Sequence, residues 1–127
     1  MSRILLVGIG GFVGSILRYL VGGYVQQLTK NFIFPYSTLA VNIVGCLLIG
    51  FLSQLAEARG IFTSESRALV FIGVLGGFTT FSTFSNETAN LLIDGENFPA
   101  LVNIGMHIAF CLSAVWLGRV LAHLIWR

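Results

Sequence analysis

The stretch GGFTTFSTFSNE, from Gly76 to Glu87, lies inside an otherwise apolar region of the chain. It contains two adjacent glycines, five hydroxyl side chains and the phenylalanines Phe78, Phe81 and Phe84. Glycine weakens a helix interior, and polar groups in hydrocarbon are costly unless they have partners or face a cavity. The stretch therefore predicts a membrane helix that is broken near its middle, with polar groups gathered at the break.

The composition of the 127-residue chain excludes an ordinary soluble domain. It is 56% hydrophobic and 9% charged, whereas soluble domains carry roughly 25% charged residues. The net charge of +2 is too small to indicate a nucleic-acid surface. No nucleophile–base pair or metal-ligand spacing is recognisable, so we do not expect an enzyme. The two cysteines, Cys46 and Cys111, are expected to be small buried side chains rather than a disulfide.

Four segments are long and apolar enough to cross a bilayer, which requires about 20 residues in a helix. They cover residues 4–26, 37–56, 68–93 and 100–125 of a single domain, 1–127. We expect Gly76 and Gly77 to interrupt the third span. Four spans place both ends of the chain on one face, and the excess of arginine there predicts that this face is cytoplasmic.

Small and basic residues mark the first span. Gly10 and Gly14 form a small-xxx-small pair, which favours close packing of two helices. The surrounding GIGGFVG lacks the third glycine of a dinucleotide-binding fingerprint. Arg18 lies deep in the span or near its far end. It either extends to the membrane interface, or supplies a cation at the mouth of an anion pathway or a clamp on a loop.

Polar side chains also recur at helical spacing in the second and fourth spans. Thr38 and Asn42 are four residues apart and share a helix face, and Asn103, His107 and Cys111 form a stripe on the fourth span. Such groups either hydrogen-bond to a neighbouring helix or line a path for ions. The residues alone leave both readings open.

The chemistry of the opening stretch suits ions of either sign. Backbone carbonyls freed by a break coordinate cations. Hydroxyl groups and N–H groups are donors for anions, and Phe81 and Phe84, three residues apart, could present electropositive ring edges. Alternatively, the rings belong to the core and the hydroxyls bond back to their own helix.

Three motifs resemble those of the CrcB/Fluc-type fluoride channels. GVLGGFTTFSTFSNE is similar to the family's signature, GGFVGSILRY (Gly10–Tyr19) to its first-helix motif, and STLAVNIVGCLLIG (Ser37–Gly50) to its second. The resemblance implies an all-α protein of the cell membrane, assembled as an antiparallel, dual-topology homodimer. It also implies a fluoride-selective channel that exports fluoride passively from the cytoplasm.

The resemblance further implies roles for particular residues. A structural sodium ion would be held by backbone carbonyls at Gly76 and Thr79. Arg18, Thr38 and Glu87 would serve the vestibule or the structure. The fluoride pathway would be lined by Asn42, Phe81, Phe84, Ser82, Thr83, His107 and Cys111, although related chains often carry serine at the last position.

Two other readings compete with the channel. A small multidrug-type exporter of cations needs a carboxylate within the membrane, and Glu87 is the only candidate. A structural subunit without transport would tolerate volume-conserving changes at the polar positions. The arginine bias is also less even than dual topology implies, which leaves an oppositely oriented paralogue open as the partner.

Overall fold

The computed structural model describes residues 2–126, which are helical apart from short connections. Four regions are long and apolar enough to cross a membrane, as the sequence predicts. Three of them are single helices: α1 (Arg3–Thr29), α2 (Tyr36–Arg59) and α6 (Asn97–Ile125). The third region is composite: α3 (Ser64–Arg67), a π-helix (Ala68–Leu75), α4 (Gly76–Phe78) and α5 (Phe81–Ile93).

The helices extend beyond the predicted spans because their ends tolerate residues that the hydropathy pattern excludes. Helix α6 begins at Asn97, so Pro99 lies in its first turn, where the missing N–H of proline costs nothing. Helix α2 ends at Arg59 and is capped by Gly60, whose φ of 60° is in the left-handed region, where glycine is the preferred residue.

The predicted break in the third span is confirmed, but its attribution to Gly76 and Gly77 is wrong. Both glycines are helical, and the break lies at Thr79 and Thr80, whose ψ angles of 156° and 117° are extended. β-branched residues favour this conformation. Gly77 is needed instead for packing, because a Cβ there would lie 2.7 Å from the Gly11 carbonyl oxygen.

Glycine contacts set the distances between the helices. Gly10 and Gly14 on α1 pack directly on backbone atoms of the π-helix and α4, which confirms the packing role predicted for this pair. Helices α2 and α6 run parallel and also approach closely. A Cβ at Gly50 would lie 2.8 Å from the Val115 carbonyl carbon, so this contact depends on glycine.

Much of the apolar surface faces outward. In the span windows, between 11% and 33% of the residues are buried within the chain. Large side chains such as Phe12, Phe98 and Trp116 are mostly exposed. An apolar surface of this extent suits contact with lipid or with another protein chain.

Candidate functional site

Asn42 bridges α2 to the break in the third span. Its Nδ2 donates to the Thr80 carbonyl oxygen at 3.0 Å, and the Thr80 N–H donates to its Oδ1 at 2.9 Å. One side-chain amide thus satisfies both backbone groups of a residue in the break. Unpaired backbone groups are expensive at membrane depth, so Asn42 stabilises the broken conformation.

The hydroxyl groups of the signature divide into two sets. Thr79 and Ser85 donate to carbonyls four residues back, Leu75 and Phe81, at 3.0 and 2.9 Å, as the back-bonding reading predicts. The other set is a hydroxyl cluster at the start of α5, made by Thr80, Ser82 and Thr83.

Thr80 holds the hydroxyl cluster together. Its Oγ1 donates to Thr83 Oγ1 at 3.0 Å, lies 3.2 Å from Ser82 Oγ, and accepts the Thr83 N–H at 3.2 Å. Ser82 and Thr83 are both exposed within the single chain. The cluster therefore caps α5 while keeping hydroxyl groups at the surface of the break.

Phe81 and Phe84 lie next to each other on α5, as their spacing predicts. Their ring centroids are 5.3 Å apart with planes tilted by 54°. Phe84 is buried and its centroid lies 4.2 Å from that of His107 on α6. Phe81 is 78% exposed. One ring thus packs inside the chain while its neighbour projects from it.

The polar stripe on α6 is only partly satisfied by α5. Asn103 Nδ2 donates to Thr88 Oγ1 at 2.9 Å, and Thr88 in turn donates to the Phe84 carbonyl. His107 Nδ1 lies 3.0 Å from the Asn103 carbonyl, which can only accept, so Nδ1 carries the hydrogen. Asn103 Oδ1 and His107 Nε2 are buried without a partner among the described residues.

Thr88 was not singled out by the sequence analysis. It completes the connection between the stripe and α5, and its spacing of four residues from Phe84 places both on one helix face. That spacing is the sequence pattern from which Thr88 could have been identified. The partner on α6, however, is not apparent without the packing of the two helices.

A pocket of about 470 Å³ gathers most of the predicted site. Its wall includes five of the predicted pathway residues and both predicted sodium ligands: Asn42, Phe81, Phe84, His107, Cys111, Gly76 and Thr79. Its wall contains no ionisable acidic or basic side chain apart from the histidine and two cysteines. The pocket is therefore lined mainly by uncharged side chains, including two phenylalanine rings.

A second, more polar pocket of about 640 Å³ contains the predicted vestibule residues Arg18, Thr38 and Glu87. Glu87 Oε1 accepts from Thr38 Oγ1 at 2.7 Å, whereas Oε2 is buried without a partner among the described residues. Thr80 lines both pockets. The break thus lies between the two spaces.

The residues predicted to hold sodium fit a hard cation. In a continuous helix the Gly76 carbonyl would accept from the Thr80 N–H, but that N–H donates to Asn42. The Thr79 carbonyl would accept from the Thr83 N–H, which donates to the Thr80 hydroxyl instead. Both carbonyls have therefore lost their helical donors, and carbonyl oxygens are suitable ligands for hard cations.

The chain is also similar to known proteins. A family model described as CrcB-like protein, Camphor Resistance (CrcB), matches residues 5–119. "Fluoride-specific ion channel FluC 1" of Methanosarcina acetivorans is 46% identical over 122 residues, which are 96% of this chain and 92% of the relative. "Fluoride-specific ion channel FluC" of Elusimicrobium minutum is 44% identical over 125 residues, 98% of this chain and 97% of the relative.

Proposed function

Because the chain belongs to the CrcB family, we propose that it is a fluoride-specific ion channel in the cell membrane. The observation that carries the proposal is the break at Thr79 and Thr80, where neutral hydrogen-bond donors and two phenylalanine rings meet in one pocket. Family membership favours this function over a multidrug-type cation exporter.

The chemistry of the pocket suits a small, strongly hydrated anion. Such an ion leaves water only where other donors replace its hydration shell, and it moves on only if they hold it weakly. One hydrogen of the Asn42 amide supplies a neutral donor in the pocket, and the exposed hydroxyl groups of Ser82 and Thr83 supply further donors outside it, at the start of α5. The edges of Phe81 and Phe84 supply electropositive surface without a full charge.

We place the pathway between the two pockets. Fluoride would enter the vestibule beside Arg18, pass the hydroxyl cluster at Thr80 and Thr83, and reach the rings of Phe81 and Phe84. The ion moves down its own electrochemical gradient. Fluoride enters a cell as the neutral acid in acidic surroundings and is trapped inside as the anion, so a passive exit suffices to lower its concentration.

We further propose that two chains assemble in antiparallel orientation, either as a homodimer or with an oppositely oriented paralogue. Phe81 lines the pocket and yet is 78% exposed in the single chain. A second chain would cover it and close the pathway against lipid.

A bound sodium ion would contribute a fixed positive charge beside the break carbonyls. Gly76 and Thr79 offer two carbonyl oxygens per chain, fewer than a hard cation usually takes. The same pair from a second chain would double that number. The proposed dimer and the proposed sodium site therefore support each other.

Fluoride efflux from proteoliposomes, followed with a fluoride electrode, tests the function. We expect rapid efflux from the wild type with chloride retained. Phe81→Ile should slow it at least about tenfold, equivalent to about 1.4 kcal/mol in the barrier. Phe98→Ile is the matched control, because Phe98 is 77% exposed but lies far along the chain from the break. No efflux from folded wild type, or equal efflux from both variants, would contradict the proposal.

A further inference from the structure

Two free cysteines face each other in the pocket that also holds the phenylalanines. Cys46 on α2 and Cys111 on α6 both line it, and neither forms a disulfide. The two residues occupy matching positions on two helices that pack directly on each other. The fluoride pathway proposed above uses at most one of them, so the pairing itself has no assigned role.

The register of the two parallel helices explains why the thiols meet. The same residue offset separates Cys46 from Cys111 and Gly50 from Val115. It also separates Gln54 from Arg119, which hydrogen-bond at 3.4 Å. Since residues four apart lie on one helix face, the cysteines are one turn from the Gly50 contact, where the two backbones approach closely. The pair is therefore held by the helix packing rather than by flexible loops.

Two adjacent thiols are a ligand set for a soft cation. Thiolate sulfur selects soft metal ions, and ions such as Hg²⁺ and Ag⁺ accept two sulfur ligands in a linear arrangement. Across residues 2–126 no group of three histidine, cysteine or carboxylate side chains could hold a metal. A tetrahedral zinc site, which needs further ligands, is therefore not available here.

We propose that Cys46 and Cys111 together bind one soft, two-coordinate cation, with Hg²⁺ as the probe. With HgCl₂, binding breaks both S–H bonds and both Hg–Cl bonds, forms two Hg–S bonds, and releases two protons and two chloride ions to the solvent. No atom is oxidised or reduced. The second part of the proposal rests on the proposed function: an ion held there narrows the pocket beside Phe81 and Phe84 and blocks fluoride.

The binding part is tested on the purified full-length chain in detergent, titrated with HgCl₂ while free thiols and intact mass are measured. We expect one mercury per chain and loss of both thiols together. Two ligands on one scaffold raise the effective concentration, so the wild type should resist an excess of a monothiol about 100-fold better than Cys46→Ser or Cys111→Ser.

Two outcomes would overturn the binding proposal. Two mercury ions per chain would mean that each thiol reacts separately, and release by the monothiol at the rate of the single variants would mean that no chelate forms. Elution in size-exclusion chromatography identifies any variant that fails to fold, without affecting the stoichiometry of the wild type.

The transport part is tested in proteoliposomes, with each protein compared with its own flux before mercury is added. Wild-type fluoride flux should fall at least tenfold and return with a dithiol but not with the monothiol, whereas Cys46→Ser should recover with either. Unchanged flux with mercury bound to both thiols would overturn the blocking mechanism. No fluoride flux before mercury would instead overturn the proposed function, while the binding result would stand.

Discussion

Replacing Asn42 with alanine should destabilise the broken conformation of the third span without removing any charged group. The change deletes two hydrogen bonds, at 3.0 and 2.9 Å, and leaves the N–H and carbonyl of Thr80 without partners. A buried polar group without a partner costs about 1–3 kcal/mol, so the two groups together cost roughly 2–6 kcal/mol. In membrane proteins a single side-chain bond contributes less, about 0.6 kcal/mol on average, which favours the lower half of that range.

The chain has one way to avoid this cost. The Thr80 N–H can return to the Gly76 carbonyl, which would straighten the helix across the break. Straightening would move Phe81 relative to Phe84 and occupy a carbonyl proposed as a sodium ligand. We therefore expect Asn42→Ala to reduce fluoride efflux at least tenfold and to change hydrogen exchange at the Thr80 amide.

Asn103→Ala is the matched control for this prediction. Asn103 is also a buried asparagine, but it bonds to the Thr88 side chain rather than to the break. The control should lose stability in a denaturant titration while exchange at the Thr80 amide stays at the wild-type rate. If Asn42→Ala kept both wild-type fluoride efflux and the wild-type exchange rate at the Thr80 amide, the role of Asn42 in stabilising the break would be refuted.

Three further predictions concern packing, the vestibule and the cation. Gly77→Val should cost about 1–3 kcal/mol of unfolding free energy through overpacking against Gly11, whereas Gly8→Val, with nothing within 4 Å of its Cβ position, should be close to neutral in the same denaturant titration. Thr38→Val removes the 2.7 Å bond to Glu87 and should slow fluoride efflux several-fold; wild-type efflux would show that this bond is not needed. Exchange of sodium for a large organic cation during purification should abolish efflux and destabilise the dimer, and unchanged efflux after exhaustive exchange would argue against the carbonyl site.

Local sequence patterns predicted most of the helices and which polar and aromatic side chains share a helix face. Apolar run lengths identified four spans because a bilayer imposes a minimum length. The three-residue spacing of Phe81 and Phe84 predicted adjacent rings, and the spacing of Asn103 and His107 predicted one stripe. These features depend only on helical geometry, which is shared by all chains.

The features that the sequence did not reveal are contacts between distant segments. The break was assigned to Gly76 and Gly77 because glycine weakens helices, but its position at Thr79 depends on Asn42, a residue of another helix. Gly77 is fixed in the helix by contact with Gly11. Likewise, the pairing of Cys46 with Cys111 depends on the register of α2 against α6, which no local pattern encodes.

The Asn42 amide also has a consequence for how the membrane fold is built. A side-chain amide carries a donor and an acceptor like those of a peptide group. Asn42 on α2 therefore replaces the helical hydrogen-bond partners that the Thr80 backbone lacks at the break. Because α2 precedes the third span in the chain, it is synthesised first. The partner of the Thr80 backbone is therefore already part of the nascent chain when Thr80 is added.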